Sequence, residues 1–357
     1  MNKMKKGYKR TEIGVIPVDW EVKRLKSILK IKHGKNQKEV EDINGKYPIL
    51  GTGGQLGSTN SYLYNKPSVL IGRKGTIDKP VYMDTPFWTV DTLFYSEVYQ
   101  NAIPKYLYYN FLIIDWYSYN EASGVPSLNA SRIESIQIPI PPLPEQKAIA
   151  EVLSDTDNLI QALEKRIAKK RLIKQGAMQK LLAPKDDWEV KKLGEILKVR
   201  HGKSQKDVED RNGQYPILGT GGLMGYANQF LYDRESVLIG RKGTIDKPRY
   251  MDIPFWTVDT LFYTEIFKYV SPKCLFYKFL QIDWYSYNEA SGVPSLNAKT
   301  IENIEISLPP LEEQTHIATI LSEMDSEIEA LEKKLAKYQQ LKQGLMQNLL
   351  TGKIRLV

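Results

Sequence analysis

Between Trp20 and Pro142 apolar and polar residues alternate in short runs broken by turn residues. "YPILGTGG" from Tyr47, "SVLIG" from Ser68, "PVYMD" from Pro80 and "FWTVDTLFYSEV" from Phe87 carry the spacing and β-branched content of strands. "PKYLYYNFLI" from Pro104 predicts a helix. "IPIPPLPEQ" then stops the strand pattern with four prolines. About forty proline-free residues follow, with apolar positions at Ile149, Val152, Leu153, Leu159, Ile160, Leu163 and Ile167. That three-and-four spacing predicts an amphipathic helix, and Pro144 with Glu145 marks its start. Its length is on the order of 55 Å, more than a compact domain core accommodates, so it needs a partner.

The whole pattern occurs twice. Pairing each residue with the one 168 positions later needs no gap from about Trp20 to Leu182. The tryptophans pair as Trp20 with Trp188, Trp88 with Trp256 and Trp116 with Trp284, and they read as packing residues, with base stacking as the alternative. A repeat this long is no solenoid unit; each copy is a domain plus a connector. The fold class is α+β (mixed α/β): two tandem globular domains, residues 1–143 and 185–311, with long helices over 144–184 and 312–357. The natural partner for each long helix is its own repeat, in an antiparallel coiled-coil-like pair; two independent surface helices are the alternative. An antiparallel pair would put the globules at opposite ends, related by a pseudo-twofold axis. Duplex DNA is also a twofold object, and twofold-related readers take spaced half-sites.

Composition narrows the class. A chain of 357 residues that is 42% hydrophobic and 26% charged has the make-up of globular domains with cores of their own. No apolar run approaches the roughly 20 residues that span a bilayer. The basic start "MNKMKKGYKRTEIG" precedes no apolar segment and reads as no signal peptide. The single cysteine, Cys274, excludes an internal disulfide and a cysteine metal cluster, and points to a reducing cytoplasm. A net charge of +8 favours a polyanionic partner.

Catalytic patterns are missing. "GTGGQLG" fails the dinucleotide fingerprint because Leu56, and Met224 in the other copy, stand where glycine is required. There is no Walker A sequence, and "IPPLPEQ" lacks the amide and the aromatic of an adenine methyltransferase motif. Glu21-Val22-Lys23 and Glu189-Val190-Lys191 match only three letters of a nuclease pattern. His316 pairs with Ala148 and Cys274 with Tyr106, so neither supplies a group common to both copies. No nucleophile, base and orienter assemble.

With these motifs in view, the chain resembles the DNA specificity subunit of type I restriction-modification systems (the S subunit, or HsdS family). "YKRTEIGVIPVDWEVKRLKSI", "IPIPPLPEQKAIAEVL", its echo "LPPLEEQTHIATIL" and the closing "LKQGLMQNLLTGKIRLV" carry the resemblance in order over essentially the whole chain. It implies two target-recognition domains, each reading one half of a split double-stranded DNA site, held apart by two helices that set the unread gap. It also implies docking of two modification subunits, which methylate adenine N6 with S-adenosylmethionine, and of motor-nuclease (restriction) subunits that use ATP and Mg. The specificity subunit itself would be non-catalytic and hold no cofactor. The two domains of this family usually differ. Here they are nearly identical, so the expectation is one half-site read twice in inverted orientation. The least similar segment is "QLGSTNSY" against "LMGYANQF". The rival readings are a duplex or RNA binder without sequence preference, and a scaffold.

Affinity in such a protein comes from cations on phosphates, and specificity from a few side chains on base edges. The repeated "SVLIGRKGTIDKP" offers Arg73, Lys74, Thr76 and Lys79, and again Arg241, Lys242, Thr244 and Lys247. Arginine suits guanine through its fork; a solvated hairpin turn is the plainer reading of the same residues. "HGKNQK" and "HGKSQK" offer His33, Lys35, Gln37, His201, Lys203 and Gln205. "WYSYNEASGVPSLN" offers Tyr117, Tyr119, Ser123 and Ser127, and Tyr285, Tyr287, Ser291 and Ser295, with core placement of the tyrosines as the alternative. The basic helix segments "EKRIAKKRLIKQ" and "EKKLAKYQQLKQ" fit solvated faces, a DNA-facing stripe or docking surface.

Overall fold

A computed structural model of the chain describes residues 6–356; the first five residues of the basic N-terminal stretch, and Val357, lie outside the described residues. It divides into two compact units, one of residues 6–164 and 333–356, the other Lys165–Glu332. Each unit joins one globular domain to one end of each long helix.

The first domain contains β1 (Tyr8–Thr11), β2 (Gly14–Pro17), β3 (Glu21–Arg24), β4 (Leu29–Lys32), β5 (Tyr47–Gly51), β6 (Gly54–Thr59), β7 (Ser68–Gly72), β8 (Val81–Met83), β9 (Trp88–Thr89) and β10 (Leu93–Val98). Then come α1 (Pro104–Ile113), α2 (Ala130–Ser135), β11 (Gln137–Ile140) and the long α3 (Leu143–Leu181). An antiparallel sheet has the order β4-β10-β7-β8, and a smaller one the order β6-β5-β9 with β5 and β9 parallel. All five residues of β7 are buried, as befits an unbroken apolar run in the middle of a sheet. Trp20, Phe94, Tyr106 and Trp116 centre the core.

The second domain repeats this plan. It runs through β12 (Glu189–Lys192), α4 (Leu193–Ile196), β13 (Leu197–His201), β14 (Tyr215–Gly219), β15 (Gly222–Ala227), β16 (Ser236–Gly240), β17 (Arg249–Met251), β18 (Trp256–Thr257) and β19 (Leu261–Ile266). It closes with α5 (Pro272–Phe279), α6 (Ala298–Glu302), β20 (Glu305–Leu308) and the long α7 (Leu311–Leu349). Its sheets have the orders β13-β19-β16-β17 and β15-β14-β18.

The Pro-Pro-Leu-x-Glu-Gln junction places α3 and α7 on their domains. Gln146 is buried; its Oε1 accepts from Ile103 N–H at 2.9 Å and its Nε2 donates to Pro141 O at 2.9 Å. Gln314 accepts from Ser271 N–H and donates to Pro309 O in the same way. In the first unit Ile149 and Leu153, near the start of α3, share a core with Met346 and Leu349 at the end of α7. In the second unit Leu182, just past the end of α3, meets Ile317 and Leu321 near the start of α7. The start of each long helix thus pairs with the end of the other, and the two run antiparallel. Leu159 is the exception among the seven stripe residues, staying exposed. Asp157 accepts from Tyr109 OH of α1 and pairs with Lys342 of α7; Asp325 accepts from Tyr277 OH of α5 and pairs with Lys174 of α3. Each carboxylate therefore ties a domain helix to both long helices. Among the described residues no helix is long and apolar enough to cross a membrane.

Candidate nucleic-acid interface

The apolar run "FWTVDTLFYSEV" is not one strand. β9 ends at Thr89 and β10 begins at Leu93, and the intervening Val90-Asp91-Thr92 organises everything around it. Lys35 N–H donates to Thr89 O at 2.8 Å, and Trp88 Nε1–H donates to Lys35 O at 3.0 Å. Gly34 follows His33 because a Cβ there would lie 2.1 Å from Val90 O. Arg73 N–H donates to Thr92 O at 2.8 Å, and Val90 N–H to Leu50 O at 2.9 Å. The break is the common anchor of the "HGKNQK" loop, the basic turn and the β5–β6 hairpin.

The third candidate segment joins them. Gly75 N–H donates to Pro126 O, and Leu128 N–H to Arg73 O, both at 2.9 Å, so "GRKG" and "VPSL" pair across Lys74 and Ser127. Gly75 makes this turn at φ +89°, open to glycine at little cost. Asn120 Oδ1 closes the segment on itself, accepting from Ala122 and Ser127 N–H. The second domain repeats the set: Lys203 N–H on Thr257 O, Arg241 N–H on Thr260 O, Gly243 N–H on Pro294 O, and Leu296 N–H on Arg241 O. Segments up to about ninety residues apart in sequence are thereby brought to one surface in each domain.

The side chains are disposed unevenly. Arg73 is half-buried with Nη1 2.5 Å from Asp91 Oδ2, and Arg241 stands 2.6 Å from Asp259 Oδ2. Asp91 and Asp259, in the repeated "TVDT", are partners of the candidate arginines that the sequence does not single out. Lys74, Lys79, Lys242 and Lys247 are exposed, and Thr76 and Thr244 half-buried. Lys35 and Lys203 are exposed beside the partly covered Gln37 and Gln205. His33 and His201 are exposed too, with ring edges against Phe94 and Phe262 at 4.9 Å. The tyrosines separate: Tyr117 and Tyr285 are 55% and 53% exposed, while Tyr119 and Tyr287 pack on the cores. Ser123 and Ser291 sit on the exposed tip, and Ser127 and Ser295 are partly covered within the paired segment. Trp88 and Trp256 donate to loop carbonyls; Trp20, Trp116, Trp188, Trp256 and Trp284 are buried, and Trp88 is partly covered.

In each domain the arrangement presents lysines, one arginine paired with a carboxylate, hydroxyls and an exposed tyrosine. Glu21 pairs with Lys23 and Glu189 with Lys191, each within one strand. Burial pushes the Cys274 thiol up to about 12, leaving it protonated and inert at neutral pH. No cluster of metal-ligating side chains occurs among the described residues.

Known proteins resemble this chain over most of its length. Residues 17–171 and 185–343 match the family described as "Type I restriction modification DNA specificity domain". The type I restriction enzyme MjaVIII specificity subunit of Methanocaldococcus jannaschii is 27% identical, covering 95% of this chain and 94% of that protein. The EcoprrI specificity subunit of Escherichia coli is 25% identical over 80% of this chain and 79% of its own length. A crystal structure of the type I restriction-modification S subunit from M. genitalium shares the fold, with a TM-score of 0.73 at 19% identity over 93% of this chain and 96% of that one.

Proposed function

This chain belongs to the type I restriction-modification DNA specificity family, as a non-catalytic specificity subunit, and from that premise we propose that its two domains read one half-site sequence twice, in inverted orientation. In this reading residues 1–143 and 185–311 are the readers, and 144–184 and 312–357 set the gap between half-sites. Those helices also dock two modification subunits carrying S-adenosylmethionine for adenine N6 methylation, and the complex takes up motor-nuclease subunits that use ATP and Mg.

One observation carries the reading: three loops of nearly identical sequence gather at Thr89–Thr92 in one domain and at Thr257–Thr260 in the other, held by the same hydrogen bonds. Lys35, Lys74 and Lys79 and their repeats supply phosphate neutralisation, which is sequence-independent and salt-dependent. Arg73 and Arg241 supply direction. An arginine steered by a neighbouring carboxylate holds its fork in one orientation, as bidentate recognition of guanine requires.

The test is selection from randomised duplexes with the chain co-purified with its modification subunits. The expected product is a split motif with inverted, matching core halves. R73A and R241A should each cost about 1–3 kcal/mol at one position, the same position in opposite halves. Recovery of a complex that binds all duplexes equally, with affinity falling smoothly with salt, would return the chain to a general duplex binder.

A further inference from the structure

One basic difference between the two copies lies beside the basic turn. Val81, first residue of β8, pairs in the repeat with Arg249, first residue of β17. Val81 is an exposed apolar side chain. Arg249 instead reaches the tip of the β14–β15 hairpin, where Nη2 donates to Thr220 O at 3.0 Å and Nη1 approaches Gly219 O at 3.5 Å. A Cβ on Gly222 would lie 3.8 and 3.9 Å from its two terminal nitrogens, whereas a Cβ on Gly54, the counterpart, would meet nothing within 4 Å. A guanidinium thus occupies in the second domain a space that is open in the first. The hairpin tip adjoins the basic turn: Thr220 Oγ1 is 3.7 Å from where a Gly243 Cβ would stand.

Charge and direction both matter here. Arg241 is paired with Asp259, but both partners of Arg249 are neutral carbonyls. Its full positive charge and its remaining N–H donors, out of five, are available to a ligand. Two carbonyls hold the fork in one orientation, which suits a directional base edge more than the diffuse charge of a phosphate. The neighbouring Leu223 and Met224 are exposed, and covering them would exclude water from the contact. In the first domain Gln55 takes the place of Leu223, and its amide donates to Gly57 O on its own strand.

We propose that Arg249 reads a guanine edge in the second half-site that the first domain, with Val81 there, leaves unread. The target is then a matching inverted core with one added base preference on a single side. This rests on the reading of the loops as the DNA-facing surface.

Duplex selection with the intact complex tests it, comparing wild type with R249V, R249K and V81R. Wild type should enrich two halves that agree in the core and differ at one position, where guanine is favoured on the order of 10- to 100-fold. R249V should erase that preference and make the halves equal. R249K, which keeps the charge and loses the fork, should erase it as well while leaving the salt dependence intact. V81R, at an exposed position, should create the mirrored preference in the first half. An unequal motif that survives R249V overturns the assignment. So does a uniform loss of affinity in R249V with a salt slope reduced by about one, the mark of a phosphate contact. Equal halves from the wild type would sink Arg249 alone and leave the two-reader geometry standing. A wild-type complex that enriches no motif would defeat the underlying reading of the loops, and this one with it.

Discussion

Thr89 and Thr257 lie where the three loops of each domain are anchored, with hydroxyls that are buried and unpartnered among the described residues. Their backbone carbonyls accept from Lys35 and Lys203, so the loop anchor is the main chain and the Oγ1 atom is superfluous to it. An unsatisfied buried hydroxyl costs about 1–3 kcal/mol. T89V and T257V should therefore each raise stability by about 1 kcal/mol, read as a higher urea midpoint, with the selected DNA motif unchanged. A lowered midpoint would mean that the hydroxyl has a partner such as a buried water. At this scale the sequence showed which cations are present but not how they are steered. Asp91 lies 18 residues from Arg73, and nothing local marks them as a pair. Tyr117 and Tyr119 could not be told apart either, since both lie in one "WYSY" segment; only packing makes Tyr119 a core residue.

The elements were legible where their stabilisation is local. "PKYLYYNFLI" coincides with α1, and the apolar stripe of the proline-free segment became the 39-residue α3. The break in "FWTVDTLFYSEV" was not legible, because it exists to receive donors from residues 35 and 73, far off in the chain. Gln146 and Gln314 have the same character: each is the buried bracket between a domain and its long helix. Q146L would leave Ile103 N–H and Pro141 C=O unpaired inside the protein. The expected cost is about 3 kcal/mol, measured as a shift in the urea midpoint. A near-neutral result would show that the junction relaxes enough to hydrate both groups.

Over the whole molecule, residues remote in sequence close the first unit. Arg355 donates to both carboxylate oxygens of Asp19, at 2.9 and 2.7 Å, and to those of the buried Glu145, at 2.6 and 2.8 Å. Removing it strands Glu145 with Trp20 Nε1–H as its remaining side-chain partner, so R355A should destabilise by about 3 kcal/mol. The hydrogen bond from Arg355 holds the Asp19 carboxyl below its ordinary value of 3.8. A carboxylate whose folded pKa is depressed contributes stability that is complete above the unfolded value and lost as pH falls through the folded one. The wild type should accordingly lose stability below 3.8, and R355A should lose less over the same range. Parallel acid profiles for the two proteins, from denaturant melts at a series of pH values, would contradict this.

Duplication, fold class and long helices were all written in order and periodicity along the chain, because each depends on neighbours within a few turns or on copy matched to copy. The convergence of three loops on Thr89–Thr92, the pairing of Arg73 with Asp91, and the fork of Arg249 at the second hairpin tip arose only on folding. They depend on carbonyls and carboxylates that long-range strand pairing brings within 3 Å or so, and such contacts leave no period in the sequence.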